Sequence, residues 1–96
     1  MTKFCAAVQE LKASAAIPQL LQAEGIRGQR KSPCNCPIAR FLTKRTGSPC
    51  YAQWGRCGLI PVGNADWNFT PFNVAIFIKN FDDGLHPELD EALATS

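Results

Sequence analysis

Apolar residues recur at helical intervals over the first fifteen positions of this chain. Phe4, Val8, Leu11 and Ala15 lie four, three and four apart, with Lys3, Gln9, Glu10 and Lys12 largely on the other side. Such spacing lines one face of a helix, for which Thr2 is the expected N-cap. Pro18 interrupts the pattern, because a proline inside a helix lacks an amide hydrogen and clashes with the preceding turn. The chain is expected either to kink there or to start a second short helix with Pro18 in its first turn. In the second case Leu20 and Leu21 are buried and Gly25 closes the helix. Residues 25–36 show no period, and their glycines and proline predict a loop anchored by Ile26. A third helix follows, with Asn35 or Cys36 as cap, Pro37 in first position and Gly47 at its end. Ile38, Phe41 and Leu42 form its apolar side; Arg40, Lys44 and Arg45 face water.

From Pro49 to Phe69 the pattern turns to aromatics, glycine and β-branched residues. Tyr51–Trp54 and Cys57–Val62 read as strands joined at Gly55-Arg56, with Gly63-Asn64 as a second turn before Asp66–Phe69. Pro61 places the second strand at an edge or at a bulge. Beyond it, Thr70 is the expected cap, Pro71 the first position and Gly84 the end of a helix. Its stripe, Val74, Phe77, Ile78 and Phe81, is widened by Phe72 and Ile76. This breadth suggests the central helix. Pro87 opens a short acidic helix through Leu93.

Together these elements predict one α+β domain over residues 1–96. Four to five short helices pack on a small antiparallel β-hairpin or three-stranded meander. Trp54, Trp67, Leu42, Phe41, Leu21 and Leu11 are expected around the helix at 72–81. A chain of 96 residues is too short for two independent cores. No apolar run is long enough to cross a bilayer, and Gln9, Glu10 and Lys12 break the apolar start before it resembles a secretory signal. The expected setting is cytoplasmic, with reduced cysteines.

Charge adds a second pattern. Residues 25–65 carry seven bases and no acid, and residues 80–96 carry five acids and no base. The net charge of +2 hides this division. Arg27, Arg30, Lys31, Arg40, Lys44, Arg45 and Arg56 form the candidate contact surface, completed by Tyr51 and Trp54. Basic residues would steer an acidic partner and aromatics would hold it. A protein is the favoured partner and self-association into a homodimer is compatible. Nucleic acid is the alternative, with Gln29, Asn35, Gln53 and Tyr51 able to reach bases. A helix-turn-helix is excluded by the long stretch between Gly25 and Pro37. Adjacent carboxylates at Asp82 and Asp83 sit badly at a helix C-terminus and call for a basic group nearby, in this chain or another.

The cysteines admit two chemistries. Cys34, Cys36, Cys50 and Cys57 could hold zinc as four thiolates, but one residue separates the first pair and six the second, unlike the usual paired knuckles. Independent packed thiols are the favoured reading, and a small zinc-stabilised domain is the second alternative. A redox role would rest on Cys36, whose helix N-terminus and neighbour Lys31 favour the thiolate. A packed or capping cysteine is the simpler account. His86 stands alone before Pro87, and Gly25-x-x-Gly28 lacks the Lys-Ser/Thr of a phosphate loop. No catalytic residue is predicted.

Cys36-Pro37-Ile38-Ala39 followed by Phe41-Leu42, and Phe81-Asp82-Asp83-Gly84 followed by Pro87-Glu88-Leu89, resemble segments of short uncharacterised proteins of actinobacteria and their phages. The resemblance implies an accessory protein that modulates host proteins without catalysis.

Overall fold

A computed structural model describes residues 3–60 and 67–91. The expected cap at Thr2, the irregularity at Pro61, the turn at Gly63-Asn64 and the last two residues, 92–93, of the acidic helix expected from Pro87 lie outside the described residues. Four α-helices, α1 (Lys3–Ala13), α2 (Ile17–Ala23), α3 (Pro37–Thr46) and α4 (Phe72–Asp82), accompany three strands. The strands β1 (Cys50–Ala52), β2 (Arg56–Leu59) and β3 (Trp67–Phe69) form an antiparallel meander in sequence order. A short 3₁₀ turn, Pro87–Leu89, follows α4. The architecture is α+β, and no helix among the described residues is long and apolar enough to cross a membrane.

Local chemistry places most helix ends where the sequence puts them. Pro18 lies in the first turn of α2. Cys36 caps α3 with its sulfur, which accepts the Ala39 amide at 3.4 Å, and Pro37 fills the first position. Gly47 closes that helix at φ 76°, a left-handed conformation that costs other residues a Cβ clash. At α4 the cap differs. Pro71 takes the capping position, and the Thr70 hydroxyl instead donates to Gln53 O at 2.7 Å, tying the β1–β2 turn to the start of α4.

The core corrects two expectations. α3, rather than α4, is the central helix: Ile38, Ala39, Phe41 and Leu42 are fully enclosed between α1 and the sheet. α4 buries Val74, Ala75, Phe77, Ile78 and Phe81, whereas Phe72 is 77% exposed and Ile76 half-buried. Trp54 and Trp67, expected in the core, are 51% and 50% exposed. Trp54 lies in the turn between β1 and β2, and the outward position of Trp67 goes with the filling of the sheet's inner face. Cys50, Ala52 and Cys57 are buried small residues there, so α3 approaches too closely for an indole to fit. Phe4, Val8, Leu11, Leu21 and Ile26 complete the core as expected.

Asn73, at the start of α4, is a joint that the apolar pattern did not disclose. Its amide nitrogen lies 3.1, 3.3 and 3.3 Å from the carbonyls of Leu11, Lys12 and Ser14, the orphan acceptors at the C-terminal end of α1.

Candidate docking surface

The basic loop is held from two sides. Gly28 pairs with Asp90 as an isolated parallel bridge, its amide donating to Leu89 O at 2.9 Å and its carbonyl accepting from Glu91 at 2.8 Å. A side chain at Gly28 is sterically barred, since a Cβ would stand 2.5 Å from Pro37 N and 2.6 Å from Asn35 O. On the other side, Lys31 adopts φ 58° and directs its amide onto Asp82 Oδ1 at 2.8 Å. The Arg30 side chain passes close to Gly84, and its Nε lies 3.2 Å from the buried carboxylate of Asp90. At the C-terminal end of α4, Asp82 thus takes a backbone amide of the basic loop and Asp83 lies 3.7 Å from the Lys79 ammonium one turn back.

Ion pairs divide the seven bases. Arg30 meets Asp90, Arg40 meets Glu91 at 3.2 Å, Lys44 meets Glu24 at 3.2 Å, and Arg45 is shared by Glu10 and Glu24 while covering the Phe41 ring. The side-chain hydrogen bonds from Arg45 hold the Glu10 carboxyl below its ordinary value, and those from Arg45 and Lys44 do the same at Glu24. Arg40 does so at Glu91. Arg27, Lys31 and Arg56 make no ion pair among the described residues. Carboxylates of the C-terminal segment thus answer Arg30 and Arg40, and Glu10 and Glu24 answer Lys44 and Arg45.

Strand register decides what that open part looks like. Residues paired across an antiparallel sheet share a face. Tyr51, Gly58 and Trp67 make one row on the outer face, and Arg56 with Phe69 make the next. Gln53, two residues beyond Tyr51, extends that second row, its amide donating to Arg56 O at 3.0 Å. Trp67 is 50% and Phe69 73% exposed, Tyr51 is half-buried, and Arg56 is exposed with its guanidinium 5.9 Å from the centre of the Trp67 ring. Trp67 and Phe69 meet edge to face at 5.2 Å. Among the described residues of the strands, this face carries no carboxylate.

Two shallow grooves continue from it. One, of about 550 Å³, is lined by Tyr51, Gln53, Arg56 and Ile60 together with Pro33 and Cys34. The next, of about 440 Å³, shares Cys34 and Ile60 and runs to Arg40 and Lys44 on α3. Neither has an acidic residue in its lining among the described residues, although Arg40 and Lys44 are themselves paired with Glu91 and Glu24. A separate cleft of about 400 Å³ is lined by Trp54 but mixes Lys31 and Lys79 with Asp82 and Asp83. The sequence grouped Tyr51 and Trp54; the structure assigns them to different surfaces. Arg27 is apart again, in a hollow beside Glu88. Trp67 and Phe69 are the docking candidates the sequence reading missed. Their spacing of two was the available signal.

The thiols are dispersed in function. Cys34 is exposed, while Cys36, Cys50 and Cys57 are buried. The Cys50 sulfur donates to Ser48 O at 3.3 Å, and that of Cys57 points to Asn68 O at 3.8 Å. Burial raises the Cys36 thiol to about 11, outweighing the amides of Ala39 and Ile38, in keeping with the packed, capping cysteine and against the activated thiolate that a redox role needs. Burial likewise raises Cys57 to about 11. Among the described residues, no three His, Cys, Asp or Glu side chains converge as a metal would need. His86 stacks on Phe77, with Nδ1 3.4 Å from Glu88.

No protein-family model, curated protein or solved structure matches this chain.

Proposed function

We propose that this chain is a non-enzymatic binding module that docks an anionic macromolecule on the outer face of its sheet. The observation that carries this reading is the outer row of Tyr51, Arg56, Trp67 and Phe69, in which Arg56 has no ion-pair partner among the described residues. Exposed aromatics beside a base supply contact area, and the surrounding positive charge steers the encounter. The acidic protein favoured by the sequence and the alternative of nucleic acid both require such a face. Arg30, Arg40, Lys44 and Arg45 contribute less than the sequence suggested, because each is engaged by a carboxylate of its own chain. The resemblance to accessory proteins of actinobacteria and their phages is compatible with a role by occupancy.

Amide chemical-shift mapping with heparin and with poly-glutamate tests this reading. Perturbations should centre on residues 51–59 and 67–69 and fade with salt. Shifts confined to the mixed-charge cleft at Trp54 would sink it. So would a concentration-dependent dimer that hides Trp67 and Phe69.

A further inference from the structure

We infer that the cleft between the basic loop, the β1–β2 turn and α4 is a site for a small zwitterion with an apolar body, an α-amino acid with an aromatic or branched side chain. The inference goes beyond the docking reading and does not depend on it. The cleft has an apolar floor, since Cys36, Ala52 and Ile78 line it and are buried. Trp54, 51% exposed, adds an indole to the lining. Its volume of about 400 Å³ falls within the range of small-molecule sites.

Two anchors fix the walls of this cleft on α4. The Thr70 hydroxyl donates to Gln53 O at 2.7 Å and ties the turn that carries Trp54 to the start of the helix. At the other end of α4, the Lys31 amide donates to Asp82 Oδ1 at 2.8 Å and fastens the loop. Lys31 does so at φ 58°, a conformation that residues with a side chain seldom take, and such strain gathers at ligand clamps.

Charge then selects the ligand. Lys79 and Asp83 answer each other at 3.7 Å, so Lys31 and Asp82 are the lining charges without an ion-pair partner among the described residues. The Lys31 amide occupies one oxygen of Asp82, and an ionised carboxylate has acceptor sites to spare. A simple anion meets Lys31 but is repelled by Asp82 and Asp83; a simple cation meets the carboxylates but is repelled by the two lysines. An α-ammonium and an α-carboxylate on one carbon answer both signs, while the side chain beyond them covers the indole and the floor.

Amide chemical-shift titration of the unmodified chain tests the site. Three probes share one apolar body: phenylalanine carries both charges, phenethylamine only the ammonium and hydrocinnamate only the carboxylate. Leucine is the branched counterpart. Phenylalanine or leucine should shift residues 31–33, 52–54 and 78–83 saturably, with a dissociation constant on the order of 1 mM. Each single-charge analogue should bind about tenfold more weakly than phenylalanine. Asp82→Asn, which keeps an acceptor for the Lys31 amide, should abolish the preference over hydrocinnamate. Lys31→Gln should abolish the preference over phenethylamine. Circular dichroism checks that both variants fold. Equal affinity for the three phenyl probes, or selectivity that survives both substitutions, would overturn the inference. So would the absence of saturable shifts with both amino acids, or shifts centred outside the cleft. Heparin and poly-glutamate binding at the sheet is read separately, so the two readings fail independently.

Discussion

Cys36 stands at a helix N-terminus next to a basic loop, a setting that ordinarily lowers a thiol's pKa. Its burial reverses that tendency, and Cys50 and Cys57 are raised for the same reason. A raised thiol favours the protonated form in the fold, so this stabilisation is present below the ordinary value of 9.0 and is lost as pH climbs towards 11. Thermal midpoints should therefore fall between pH 9 and 11, read by circular dichroism. At neutral pH a disulfide reagent should label Cys34 well before Cys36, Cys50 and Cys57, as peptide mass spectrometry would register. Equal labelling of Cys36 and Cys34 would contradict the burial described. The capping role of Cys36 was legible in sequence because Pro37 and Gly47 mark that helix locally. Its enclosure was not, since it depends on which elements close over it.

At the scale of elements, two joints hold the helices and loop together. Replacing Asn73 with Ala should cost about 1–2 kcal/mol, because it frees carbonyls at the end of α1 from their donor. Gly28→Ala should cost about 2–3 kcal/mol, since the added methyl meets rigid backbone at Asn35 and Pro37. Urea unfolding with unchanged m-values would measure both. Helix boundaries were readable because prolines and glycines act within a turn or two. The facing of β3 was not. Trp67 and Phe69 point outward and Asn68 sits opposite the buried Cys57, a phase set by pairing with β2 rather than by hydrophobicity. An apolar residue of that size reads as core until the space beneath it is known to be filled by small residues.

For the molecule as a whole, charge is arranged by contacts between residues far apart in sequence. Glu10, Glu24 and Glu91 have depressed pKa values, so the stability they confer is present above 4.5 and is lost as pH falls through their folded values. Midpoints measured from pH 7 down to pH 3 should decline, and Arg45→Gln should flatten that decline by removing the partner of both Glu10 and Glu24. An undiminished decline in that variant would show that other groups control acid unfolding. The division into basic middle and acidic end was visible along the chain. Which bases are answered by which acids was not, because Glu10 and Glu24 come from helices outside the acidic segment.

The bridge between Gly28 and Asp90 has an implication for proteolysis. A cut after His86 would remove Glu88, Asp90 and Glu91 together, taking the net charge from +2 to +5. The same cut would unfasten the loop and strip the counter-ions from Arg30 and Arg40. Trimming would thus yield a looser but more cationic protein, with a stronger pull on polyanions than its intact parent.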